Sequence, residues 1–99
     1  MNYNLHLNYE GFEKWLLGYG AKLDGVQYMF RFENDYGASI VKFTGSFGHR
    51  SDYWELAVIK FNVDGDFTLL YDTPIADDVI GHLTDAEVCE LLGKIKDLA

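Results

Sequence analysis

Tyr53-Trp-Glu-Leu-Ala-Val-Ile-Lys-Phe-Asn-Val-Asp64-Gly65-Asp66-Phe-Thr-Leu-Leu-Tyr71 places two apolar runs on either side of Asp64-Gly65. A dipeptide of this type between β-branched and aromatic residues signals a two-residue type I′ hairpin, because both central positions need positive φ. The first run, Tyr53 to Val63, alternates Trp54, Leu56 and Val58 with Glu55, Ala57, Ile59 and Phe61. Both sets are largely apolar, so this strand is expected to be central and covered on both faces. Asp66 to Tyr71 is expected to pair back on it.

Upstream, Val26, Tyr28, Phe30 and Phe32 fall on one face of a strand over 26–33, opposite Gln27, Met29, Arg31 and Glu33. Asn34-Asp-Tyr-Gly37 reads as a turn with Gly37 free to take positive φ, and Ala38–Thr44 as the returning strand. Gly45 to Asp52 is polar and glycine-bearing, which suits a loop. Further out, Tyr9, Phe12, Leu16 and Tyr19 recur at helical spacing, with Asn8 as N-cap and Gly18 or Gly20 as the stop. Downstream of the hairpin, residues 72–83 form a connector with a helical turn near Asp77–Ile80. Thr84-Asp-Ala-Glu87 then forms a capping box, opening a helix to about Lys96 with Val88, Leu91, Leu92 and Ile95 on its apolar stripe. The expected architecture is α+β: a four-stranded antiparallel meander with an N-terminal and a C-terminal helix, one layer of helix on sheet. Repeats and linkers are absent, so residues 1–99 read as a single domain.

The 99 residues carry 16 acidic and 8 basic side chains, a net charge of −8, yet 48% are hydrophobic and 16% aromatic. Such a chain can bury a core, unlike an acidic disordered tail. Residues 1–52 hold five basic and six acidic groups, whereas residues 53–99 hold three and ten. The acidity therefore belongs to the second half. Direct binding of nucleic acid needs clustered Lys and Arg and is not expected. Apolar runs stay well short of the ~20 residues that span a bilayer, so no membrane partner is expected. The first residues show no basic segment leading into an apolar one, and the single Cys89 suits a reducing compartment. A cytoplasmic location is the expectation.

Catalytic and metal chemistry finds little footing. Asn62, Asp64 and Asp66 alternate like the start of a calcium loop, but the glycine and bidentate glutamate such a loop requires are missing. Asp72, Asp77 and Asp78 are the densest acids in a connector. A metal-dependent hydrolase would need them, with His82, to face one cleft. Cys89 lies near the apolar stripe of the last helix and reads as a small buried hydrophobe. No catalytic residue, metal ligand or cofactor is assigned, and the chain is read as no enzyme.

Two surfaces remain candidates for a partner. Asp64, Asp66, Asp72, Asp77 and Asp78, continued by Asp85, Glu87 and Glu90, offer carboxylates to a basic surface. Tyr36, Phe47, Arg50 and Tyr53 combine aromatic anchors with charge.

Tyr36-Gly-Ala-Ser-Ile-Val-Lys42, Gly45-Ser-Phe-Gly48, Trp54–Phe61 and Tyr71-Asp-Thr-Pro-Ile-Ala-Asp-Asp-Val-Ile-Gly81 resemble a group of small acidic proteins encoded by phages and prophages. The likeness covers about residues 26–95, and Tyr-Asp-Thr-Pro-Ile is its most distinctive part. It implies a phage setting, in which small acidic proteins often inhibit host nucleases or defence systems by presenting carboxylates in place of DNA phosphates. The expected function is therefore a non-enzymatic inhibitor binding a host protein, for example an anti-CRISPR acting on a Cas nuclease. The alternative is a structural or regulatory homo-oligomer, pairing through a sheet edge with aromatics buried between subunits.

Overall fold

A computed structural model describes residues 6–22, 25–43, 53–70, Thr73 and 80–98. The chain is α+β. Strands β1 (Leu16–Lys22), β2 (Gly25–Arg31), β3 (Tyr36–Phe43), β4 (Trp54–Phe61) and β5 (Phe67–Leu69) form an antiparallel meander in chain order. A sixth strand, β6 (Ile80–Leu83), pairs with the start of β4, and one helix, α1 (Asp85–Lys96), follows it.

Alternation sorts the sheet into two faces. Val26, Tyr28, Phe30, Ala38, Ile40, Trp54, Leu56 and Val58 are buried on one face, where Val88, Leu92 and Ile95 of α1 pack against them. Ile59 and Phe61 are buried on the other face, Phe61 under the Arg31 guanidinium at 4.8 Å and beside Phe67 at 5.8 Å. Lys42 is buried on the helix-bearing face with Nζ 4.3 Å from the Trp54 ring centre, a cation–π contact. The capping box forms as its sequence requires: Glu87 N–H donates to Thr84 Oγ1 at 3.3 Å, and Thr84 N–H to Glu87 Oε1 at 3.0 Å.

The expected N-terminal helix over 8–19 does not form. One 3-10 turn, Glu13–Trp15, precedes β1. Gly11 sits at φ +95, which ends any helix begun at Asn8, and Gly18 and Gly20 disfavour the helix further, by roughly 1 kcal/mol each. Pairing supplies the competing gain, because β2 would otherwise leave one row of backbone groups without a β partner. The aromatics of this segment still reach the core. Phe12 and Trp15 pack on Phe32, and Tyr9 on Tyr28 and Phe30.

The β2–β3 and β4–β5 hairpins use three-residue loops with only the last position left-handed. In the β4–β5 loop, Asn62 N–H donates to Asp66 O, and Gly65 takes φ +92; Asp64 keeps negative φ, so the two-residue turn is not made. In the β2–β3 loop, Phe32 N–H donates to Tyr36 O, and Asp35, not Gly37, takes positive φ at +67. Gly37 and Tyr36 belong to β3. A Cβ on Gly37 would collide with the Phe30 carbonyl oxygen and lie 2.9 Å from Phe61 Cε2, so close packing is what requires glycine there. The expected loop over 45–52 and the helical turn near Asp77 lie outside the described residues.

Candidate functional site

The described carboxylates do not form one surface. Asp64 and Asp66 lie in the loop beyond the last residue of β4, whereas Asp85 bonds to Trp54 at its first residue. Seven steps of extended chain separate those ends, about 23 Å. Asp72, Asp77 and Asp78 lie outside the described residues.

At the α1 end the acids act within the fold. Asp85 Oδ1 accepts the indole N–H of fully buried Trp54 at 2.6 Å, and its Oδ2 accepts Asn8 N–H at 3.0 Å. The same N-terminal segment is held by Leu7 N–H donating to Tyr28 Oη at 3.2 Å and Cys89 Sγ donating to Asn8 O at 3.1 Å. Burial raises both the Tyr28 hydroxyl and the Cys89 thiol above their ordinary pKa, which keeps each neutral. Cys89 is half-buried rather than fully enclosed. Glu87 serves the cap, whose backbone and hydroxyl donors on Thr84 hold its carboxyl below the usual range. Glu90 approaches Lys94 at 3.7 Å.

The aromatic candidates also separate. Tyr36 is half-buried at the start of β3, beneath the Lys60 ammonium at 5.2 Å. Tyr53 precedes β4 at the opposite end of the sheet, exposed, with its ring 6.1 Å from that of His82. His82 adopts φ +58, a left-handed conformation uncommon for a non-glycine residue. Phe47 and Arg50 lie outside the described residues.

Shallow grooves of about 310 and 400 Å³ meet at Trp15 and Glu33. Most of their charges are already matched: Lys14 pairs with Glu33 at 3.2 Å and Arg31 with Asp35 at 3.0 Å, while Lys96 Nζ lies 5.3 Å from the Trp15 ring centre. The Glu33 carboxyl is held below its usual range, chiefly by Lys14 and then by the Trp15 indole. Asn34 ties this corner to α1, its Nδ2 within 3.0–3.1 Å of the Ile95, Lys96 and Leu98 carbonyls. Such a corner stabilises the helix C-terminus. Among the described residues no group of three His, Cys, Asp or Glu could hold a metal ion, and no helix is long and apolar enough to cross a membrane.

One surface with unmatched apolar character is the β4–β5 hairpin. All three residues of β5 are exposed, Phe67 at 46% and Leu69 at 38%, and Val63 at the loop is fully exposed. Phe67 and Leu69 lie opposite Phe61 and Ile59, so they continue the apolar strip on the face away from α1. Asp64 and Asp66 lie in the loop that joins the two strands of this strip; Asp64 Oδ1 accepts Asp66 N–H at 3.2 Å, a bond internal to the loop. Val63, Phe67 and Leu69 were not singled out by sequence reading, because Phe-Thr-Leu-Leu carries the pattern of any edge or inner strand. No family model, curated protein or solved structure matches the chain.

Proposed function

We propose that this chain is a non-enzymatic protein-binding inhibitor of phage type, docking on a basic surface of a host defence protein through the β4–β5 hairpin. A Cas nuclease is the example that the phage setting favours. The observation that carries the reading is the exposed apolar strip of Val63, Phe67 and Leu69 with Asp64 and Asp66 beside it. An apolar centre excludes water, and carboxylates at its margin then meet Lys or Arg that would otherwise hold DNA phosphates. Asp85 and Glu87 take no part in this docking, since their oxygens already serve Trp54, Asn8 and Thr84.

The test is phage plating on a CRISPR-immune host expressing the chain, together with DNA cleavage by the purified Cas nuclease of that host. Wild-type protein restores plaques and suppresses cleavage. A Phe67→Ser, Asp64→Lys, Asp66→Lys variant that melts like wild type loses both effects. Unchanged plating with wild-type protein, or full inhibition by the triple variant, overturns the proposal.

A further inference from the structure

We infer that the outer edge of β1 is a self-association site, where a second copy of this chain adds its own β1 antiparallel about a two-fold axis beside Tyr19. The phase of the hydrogen-bond ladder locates it. Phe32 N–H donates to Tyr36 O at 2.8 Å, so in the alternation of an antiparallel pair Phe30, Tyr28 and Val26 turn their backbone groups to β3. Met29, Gln27 and Gly25 turn theirs to β1, where Gly18, Gly20 and Lys22 are their partners. Tyr19 and Ala21 consequently direct N–H and C=O away from the sheet. Among the described residues nothing pairs with them.

Tyr19 is also the midpoint of the seven-residue strand Leu16–Lys22. A two-fold axis beside it lets Tyr19 exchange both backbone hydrogen bonds with its own copy, and sets Gly18 opposite Gly20 and Ala21 opposite Leu17. The regular ladder of this pairing spans Gly18–Gly20 and meets the Leu17 bulge opposite Ala21 on each side. The side chains agree with it. A row of rings crosses the helix-bearing face from Trp54 to Tyr28 at 5.6 Å and on to Tyr19 at 4.7 Å, and stops at the edge with Tyr19 56% exposed. A second Tyr19 directly opposite extends that row across the axis. Leu17, 58% exposed at the bulge in β1, gains cover as well.

Charge selects a second copy over most other occupants. The chain is at −8, so two copies meeting through their second halves set acid against acid. β1 contains no acid, and Lys22 is its one charged residue. In the antiparallel pair the two Lys22 positions lie at opposite ends of the strand, about 20 Å apart along it, beyond the Debye length of ~8–10 Å. The edge also lacks proline and inward charge, two common protections against strand addition. A single strand pair falls below the ~800 Å² per partner of a standard interface, so the dimer is weak and concentration-dependent.

Sedimentation equilibrium from micromolar to millimolar protein tests this directly. The mass rises from 11.3 kDa for one chain towards twice that value. Ala21→Pro removes only an outward N–H and leaves the ladder to β2 whole, so this variant stays at one chain's mass with its melting unchanged. Should Ala21→Pro fail to fold, Tyr19→Lys serves the same purpose by placing like charges across the axis. Amide exchange supplies the second readout: Tyr19 and Ala21 gain protection with concentration, while Gly18 and Gly20 are protected throughout. A strict monomer at millimolar concentration, or a dimer whose Tyr19 amide exchanges as fast as in dilute protein, overturns the inference.

Discussion

Replacing Asp85 with Ala separates a carboxylate that holds the fold from one that offers itself to a partner. Its Oδ1 receives the indole N–H of Trp54, a residue fully buried in the core. Loss of a hydrogen bond to a charged group costs about 1.5–3 kcal/mol. Removing a negative charge from the first turn of α1 adds about 0.3–1 kcal/mol. The Asn8 N–H it also receives is exposed and can turn to water, so it adds little. Asp85→Ala therefore destabilises the protein by about 2–4 kcal/mol, and at ~4–8 °C per kcal/mol for a domain of this size the melting temperature falls by on the order of 15 °C. Asp85→Asn keeps an oxygen for the indole and recovers much of the loss. Asp64→Ala, confined to an exposed loop, stays within about 0.5 kcal/mol of wild type. Urea unfolding followed by tryptophan fluorescence reads all three. The reasoning fails if Asp85→Ala unfolds at the wild-type midpoint, or if Asp85→Asn is as unstable as Ala.

Gly37→Ala drives a methyl into the Phe30 carbonyl and the Phe61 ring. It is expected to cost about 3 kcal/mol or more, the upper end for overpacking, seen as a fall in the urea midpoint. For Glu87, whose folded pKa is depressed, the stabilisation is full above the ordinary value of 4.5 and is lost as pH falls through the lower folded value. Glu87→Gln should therefore be less stable than wild type at neutral pH, with the difference closing in acid. Melting curves at neutral pH and below the folded carboxyl value check the sign.

Legibility in the sequence followed how each residue's signal arises. The antiparallel run β2–β5, the buried set Val26–Phe30 and the Thr84–Glu87 cap were readable because alternation and capping are local and need no knowledge of neighbours, but the expected four strands missed β1 and also β6, which ends the expected 72–83 connector. β1 was hidden because two of the positions facing away from α1 are Gly18 and Gly20, which contribute no apolar signal at period two. Tyr9, Phe12 and Leu16 then imitated a helix, although their spacing reflects packing of a turn on Phe32 and Tyr28. The left-handed position in the β2–β3 hairpin was assigned to Gly37 by residue type, yet loop length gives it to Asp35. Arg31 bonds the Asp35 carboxylate at 3.0 Å and so helps hold that loop. For the candidate site, the acidity of the second half was legible as a sum, but its division between two ends of β4 depends on a chain reversal that no local pattern states.

That division changes what net charge can mean in this protein. An acidic patch reads from sequence as a run, yet Asp85, Glu87 and Glu90 lie on α1, where a buried indole, a cap and a lysine take up their oxygens. Asp64 and Asp66 sit at the other end, beside apolar side chains that the sheet leaves in water. Carboxylates next to exposed Phe67 and Leu69 have a use that carboxylates at a helix start do not. In the proposed docking they would raise the cost of the wrong, acidic partner and so orient an interface whose affinity would come from the apolar strip. The same division leaves the opposite sheet edge, β1, nearly without charge. Self-pairing there and docking through the hairpin occupy different edges of one sheet, so a dimer can present two hairpins at once. A partner with two basic sites would then be held by avidity beyond what either hairpin supplies.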